Sequence, residues 1–118
     1  MKKILVAEDN ILNQRLLKAT LKQYGFDITI VGNGKEAIDA FSNDNFDYIL
    51  MDVMMPVMNG LEATESIRAI ESAKGGYVFI IGLTGNVYDD DKDKCLKAGM
   101  NAYLTKPFEV EEFLKIVK

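Results

Sequence analysis

The sequence has no histidine anywhere in its 118 residues. Chemistry that needs an imidazole, as base, nucleophile or metal ligand, must take it from another molecule. There is one cysteine, Cys95, so no internal disulfide can form, and the default compartment is the cytosol. No apolar run approaches the ~20 residues of a bilayer-spanning helix. Met1-Lys2-Lys3-Ile4 leads straight into a strand pattern, where no signal peptide fits. Basic excess is lacking too. The formal net charge is −4, which argues against a direct nucleic-acid surface. Low-complexity tracts, linkers and repeats are missing. What is present is a chain of single-domain size, 48% apolar and 27% charged, with enough apolar residues to bury a core. One domain is expected over residues 1–118.

The apolar residues alternate between two patterns. Ile4-Leu5-Val6-Ala7 is a short continuous run, as in a strand buried on both faces. Leu12, Leu16, Leu17, Leu21 and Tyr24 follow at helical spacing over residues 11–24, and Gly25 stands where a helix-ending glycine belongs. Ile28 to Val31 predicts a second strand. Asn33-Gly34 is a turn, followed by a helix with Ala37, Ile38 and Phe41 on one face. Tyr48 to Met51 predicts the third strand, and Leu61, Thr64, Ile67 and Ile70 mark the third helix. After Gly75-Gly76, Val78 to Ile81 is the fourth strand, and Tyr88 to Ala98 the fourth helix. Ala102 to Leu104 is a short fifth strand. Val110, Phe113, Leu114 and Val117 close with a helical stripe.

Strands alternating with helices imply a parallel sheet covered on both faces. The expected class is α/β, a single (βα)5 flavodoxin-like domain with a five-stranded parallel sheet of order 2-1-3-4-5. Ligands of such sheets sit beyond the carboxyl ends of the strands, where the strand order reverses, here between strands 1 and 3.

The predicted strand ends deliver Glu8-Asp9-Asn10, Asp52, Thr84 and Lys106-Pro107. Each follows an apolar run. Any one alone has a plain explanation: a helix cap, a loop residue or a solvated lysine. The joint pattern is what carries chemistry. Clustered carboxylates repel one another, and an all-oxygen set suits a hard ion, Mg²⁺. Asp9 and Asp52 are the expected direct ligands, with Glu8 acting through water and the Met54 carbonyl also within reach. Lys106 and Thr84 offer a charge and a hydroxyl to phosphoryl oxygens, and backbone N–H groups after Asp52 offer a third donor. Asp52, alone at the end of a central strand, is the candidate nucleophile. Asn10 is expected to cap the first helix. Asp89 to Asp93 lack the glycine and glutamate spacing of a calcium loop and read as an acidic first turn. Met51, Met54, Met55 and Met58 are expected to pack, and Cys95 to be buried.

These residues carry a resemblance. Ile4 to Asn10, Met51 to Gly60, Leu83-Thr84-Gly85 and Ala98 to Phe108 together resemble the receiver domain of two-component response regulators, over nearly the whole chain. The Glu-Asp-Asn start with Asn13 nearby, and the Met-Met-Pro-Val-Met-Asn-Gly run, look most like receivers attached to hybrid sensor histidine kinases. The resemblance implies Asp52 as phosphoacceptor and Glu8 and Asp9 as the Mg²⁺-binding acids, with Mn²⁺ as a substitute ion. It implies Thr84 and Tyr103 as switch residues that reshape the face of helix 4, strand 5 and helix 5, and Lys106 as the family lysine. The Lys106–Pro107 bond matches one that is often cis. Gly85 departs from the commoner alanine, and Met54 and Asn86 flank the site. The implied donor is a phosphohistidine on a sensor histidine kinase or histidine phosphotransfer domain, with an output protein or domain downstream. The chain then supplies half of a reaction and is not an enzyme by itself beyond self-catalysed phosphorylation and dephosphorylation of the aspartate.

Three other readings compete. A flavodoxin-like electron carrier would need a phosphate cradle after strand 1, where Glu8-Asp9 would repel the flavin phosphate. A Mg²⁺-dependent phosphohydrolase often has a second acid two residues after its nucleophile, and Met54 stands there. A degenerate receiver acting only as a phosphorylation-independent binding module would not need the full residue set.

Overall fold

The computed structural model describes residues 2–55, 57–85, 89–106 and 108–117. Strands and helices alternate: β1 Lys3–Ala7, α1 Ile11–Gln23, β2 Asp27–Val31, α2 Gly34–Asn43, β3 Tyr48–Asp52, α3 Gly60–Lys74, β4 Phe79–Thr84, α4 Asp89–Ala98, β5 Ala102–Thr105 and α5 Val110–Val117. All pairings are parallel, and the sheet order is β2-β1-β3-β4-β5, as expected.

The continuous apolar runs become the central strands because both faces of the sheet are covered. Leu5, Ala7, Ile49, Met51 and Ile80 pack on one side with Ala37, Ala63 and Ile67. Ile4, Val6, Leu50, Ile81 and Leu83 pack on the other with Leu17, Leu21 and Phe113. Alternate residues of one strand thus serve opposite layers, which is the period-2 geometry of a pleated strand. Burying so many branched side chains, at ~1.5–3 kcal/mol each, is the main force holding the layers together.

Helix boundaries follow local chemistry. The Asn10 side chain accepts from Asn13 N (3.0 Å), capping α1 as expected. Asn33 caps α2 in the same way through Glu36 N. Asn59 and Glu62 form a reciprocal capping box at α3. α1 ends one residue earlier than predicted, with Tyr24 as its cap and Gly25 following at φ +84°. β4 begins at Phe79 rather than Val78.

Two expectations need correction. The α1 stripe does not all face inward: Leu17 and Leu21 are buried, but Leu12 is 72% and Leu16 63% exposed. A helix lying on a sheet buries one narrow stripe, and its flanking apolar residues stay in water. Met54 was expected to pack, yet it is 76% exposed, because it lies in the loop after β3. Met51 and Cys95 are buried as expected. Pro56, Asn86, Tyr88 and Pro107, on which the predicted loop, site-flanking, helix-start and cis-bond features fall, lie outside the described residues, as do the side chains of Asp89 to Asp91.

Candidate functional site

The carboxyl ends of β1 and β3 converge at the reversal of strand order. Glu8 directly follows β1, and its N–H extends the ladder to the Val31 carbonyl (3.1 Å). Its carboxylate is buried, and Oε1 accepts from Asn10 N (3.1 Å). Asp52 is the last residue of β3 and only 1% exposed. Its Oδ1 accepts from Met54 N at 3.2 Å, and its Oδ2 accepts from Lys106 Nζ at 2.7 Å. The same ammonium lies 3.7 Å from Glu8 Oε2. Carboxylate oxygens of Glu8, Asp9 and Asp52 all lie within 4.8 Å of one another.

Neighbouring backbone fixes this corner. Val53 N donates to Leu83 O (2.9 Å), and Lys106 N donates to Thr84 O (2.8 Å), so the ends of β3, β4 and β5 are tied together. Gly60 N donates to Val53 O at 2.9 Å. A Cβ on Gly60 would overlap the Asp52 carbonyl oxygen, so only glycine lets α3 start this close to the strand end. Within the connecting loop, Val57 has φ +68°, unfavourable for a β-branched residue. Thr84 is buried at the end of β4, and Tyr103 is half-buried on β5 with Lys92 Nζ 5.8 Å from its ring centroid.

The electrostatics reflect burial and the crowding of charge at this corner. Burial pushes the Glu8 carboxyl above its ordinary value, and the nearby Asp52 adds to this against the Asn10 N–H. Burial works to lower the Lys106 ammonium, but its hydrogen bond and attraction to Asp52 outweigh that and hold it above its ordinary value. Burial thus dominates at Glu8, while the neighbouring carboxylates decide the direction at Lys106. The donor set, three carboxylates with no imidazole or thiolate, fits a hard divalent cation.

The structure therefore brings Glu8, Asp9, Asp52 and Lys106 together and sets Thr84 on the adjoining strand end. Tyr103 lies on the edge strand beyond. Sequence reasoning missed Gln14, whose side-chain Nε2 donates to the Glu8 carbonyl at 2.6 Å. Its spacing, four residues after the Asn10 cap, was the available signal.

A doubly wound sheet of this kind places its ligand site at the switch point beyond the strand ends, which is where this chain sets its acidic cluster. The model of the response regulator receiver domain matches residues 4–118, and the chain belongs to that family, the receivers of two-component and phosphorelay systems. It is 43% identical to hybrid signal transduction histidine kinase I of Dictyostelium discoideum, over 98% of this chain and 7% of that protein. The chain thus spans less than a tenth of that relative. Among solved structures, the receiver domain of sensor histidine kinase PA1611 from Pseudomonas aeruginosa is 42% identical, with a TM-score of 0.87 over 98% of this chain and 93% of that one. That structure has a magnesium ion coordinated in its active-site cleft. A chain from the Saccharomyces cerevisiae complex of the phosphotransfer protein Ypd1 with the receiver of Ssk1 matches at 32% identity and a TM-score of 0.92, over 98% of this chain and 86% of that one. Among the described residues, no helix is long and apolar enough to cross a membrane.

Proposed function

We propose that Asp52 accepts a phosphoryl group from a phosphohistidine on a partner, either a sensor histidine kinase or a histidine phosphotransfer domain. The observation carrying this reading is the Asp52 carboxylate, buried, held at 2.7 Å by Lys106 Nζ, with two further carboxylates beside it. A carboxylate oxygen of Asp52 forms the new P–O bond as the P–N bond to the donor imidazole breaks, and the departing imidazole takes up a proton. Met54 N already donates to Asp52 Oδ1 and so helps to orient the carboxylate. Lys106 Nζ moves from carboxylate to phosphoryl oxygen without leaving the corner, and the Thr84 hydroxyl faces another phosphoryl oxygen. Glu8, Asp9, Asp52 and the Met54 carbonyl would hold Mg²⁺, with Mn²⁺ as a substitute. Bound there, the ion neutralises the carboxylates and the charge spread over the phosphoryl oxygens.

The domain over residues 1–118 then acts as a switch, with Thr84 and Tyr103 relaying the phosphorylated state to the face of α4, β5 and α5. The donor must bring the imidazole, because this chain has no histidine. Exposed Leu12, Leu16, Met54 and Val57 give such a donor protein apolar surface around the site.

The test is intact-mass analysis after acetyl phosphate with Mg²⁺. One phosphoryl group should add to the wild-type chain and none to Asp52→Asn. Equal labelling of that variant would overturn the assignment.

A further inference from the structure

Gln14 reaches out of the first turn of α1 and grips the end of β1. Its backbone N–H donates to the Asn10 carbonyl (2.9 Å) within the helix. Its side-chain Nε2 donates backwards to the Glu8 carbonyl at 2.6 Å. Glu8 is thus held at three points: its N–H by Val31, its carboxylate by the Asn10 N–H, and its carbonyl by Gln14.

The third point matters for the next residue. The Glu8 carbonyl and the Asp9 nitrogen share one rigid peptide plane. Fixing the carbonyl fixes where the Asp9 nitrogen and Cα sit, and so the point from which its side chain leaves the backbone. Asp9 is exposed, and among the described residues no hydrogen bond holds its carboxylate. Its place within 4.8 Å of the Glu8 and Asp52 oxygens therefore rests on its backbone, with attraction to the Lys106 ammonium as the other influence.

We propose that Gln14 is a positioning residue that aims Asp9 into the acidic cluster and so sets the divalent-cation affinity of the site. This rests on the cation-binding reading above. Outer partners of metal ligands commonly contribute 10–100-fold to affinity. Gln14 acts one bond further out, through a backbone plane, so the lower end applies.

The experiment uses the intact chain and Mn²⁺, followed by loss of the free-ion electron paramagnetic resonance signal. Gln14→Met keeps the side-chain length and helix propensity but donates nothing. Mn²⁺ affinity should fall about tenfold while the urea midpoint stays close to wild type. In an Asp9→Asn background the same substitution should cost little more, because the residue it aims is already altered. Gln14→Ser, too short to reach the carbonyl, gives the same reading if the methionine variant does not fold. Unchanged affinity in Gln14→Met, or losses from Gln14 and Asp9 that simply multiply, would overturn the proposal. A wild-type chain that binds no Mn²⁺ would overturn the cation reading itself and this inference with it.

Discussion

Arg68 offers the sharpest test of how the fold is held. It sits on α3, at the pole opposite Asp52. Its Nε donates to the Gly99 carbonyl (2.8 Å), one terminal nitrogen donates to Glu71 (2.7 Å) and the Val78 carbonyl (2.8 Å), and the other donates to Asn101 Oδ1 (2.7 Å). The Tyr77 ring lies 4.5 Å from the guanidinium carbon. Glu71 is 7% exposed, and among the described residues the other hydrogen bond to its carboxylate comes from Val78 N. Arg68→Met would leave that carboxylate buried without its cation, a loss that typically costs ~3–5 kcal/mol. It would also strip a donor from the Gly99 and Val78 carbonyls. The Arg68 side chain is 18% exposed, so water can enter beside Glu71 and the lower figure applies. Against a total stability of ~5–15 kcal/mol this is large. With a urea slope of ~1.5–2 kcal/mol/M, the unfolding midpoint should drop by roughly 1.5–2 M. Adding Glu71→Gln removes the stranded charge and keeps an acceptor for Val78 N, so it should recover about half of the loss. A midpoint within about 0.3 M of wild type in Arg68→Met would refute the reasoning.

The strained loop beside Asp52 makes a second prediction. Val57→Asn, which tolerates φ +68° better, should raise stability by about 1 kcal/mol, read as a higher urea midpoint; an unchanged or lower midpoint contradicts the strain. The third concerns Glu8, whose folded carboxyl lies above its ordinary 4.5 because of burial and Asp52. The folded state then holds the proton more tightly than the unfolded chain, so this contribution to stability is complete below 4.5 and is lost as pH rises through the raised value. Without divalent cations, the urea-midpoint difference between wild type and Glu8→Gln should shift against the wild type across that window, and a shift in its favour would contradict the sign.

The fold was legible because each strand announces itself twice. A strand buried on both faces must be a continuous apolar run, and a helix must return to one face every three or four residues. The short run at Ile4–Ala7 and the spacing of Val110, Phe113, Leu114 and Val117 could not exchange roles. Strand ends were legible for the same reason, since the first charged residue after such a run marks where the core stops. Glu8, Asp52 and Lys106 were found that way, and the structure brings them within ion-pair reach. The exposure of Leu12, Leu16 and Met54 was not legible. Periodicity says which residues share a face, not whether this chain supplies the cover. Gln14 was missed because its partner is a backbone carbonyl, which every residue carries, and two of the hydrogen bonds of Arg68 go to carbonyls as well. A long polar side chain leaves no sequence trace of the carbonyl it finds, although the Arg68–Glu71 spacing of one helical turn hinted at a pair.

Charge accounting explains why the Asp52 corner and the Arg68 corner are built so differently. Around Arg68, one cation meets one carboxylate and neutral acceptors, and the account closes. Around Asp52, among the described residues, three carboxylates lie beside one ammonium, that of Lys106. Two like charges 4.8 Å apart cost roughly 3–4 kcal/mol at an effective dielectric constant of 20, so the deficit is substantial. An acyl phosphate on Asp52 would deepen it by about one more charge. Under the proposed function that imbalance is useful. It favours a divalent cation before transfer and favours it more after, and by linkage a bound cation favours the phosphorylated form equally. A site neutralised internally, like the one around Arg68, would hold its shape better and respond to neither.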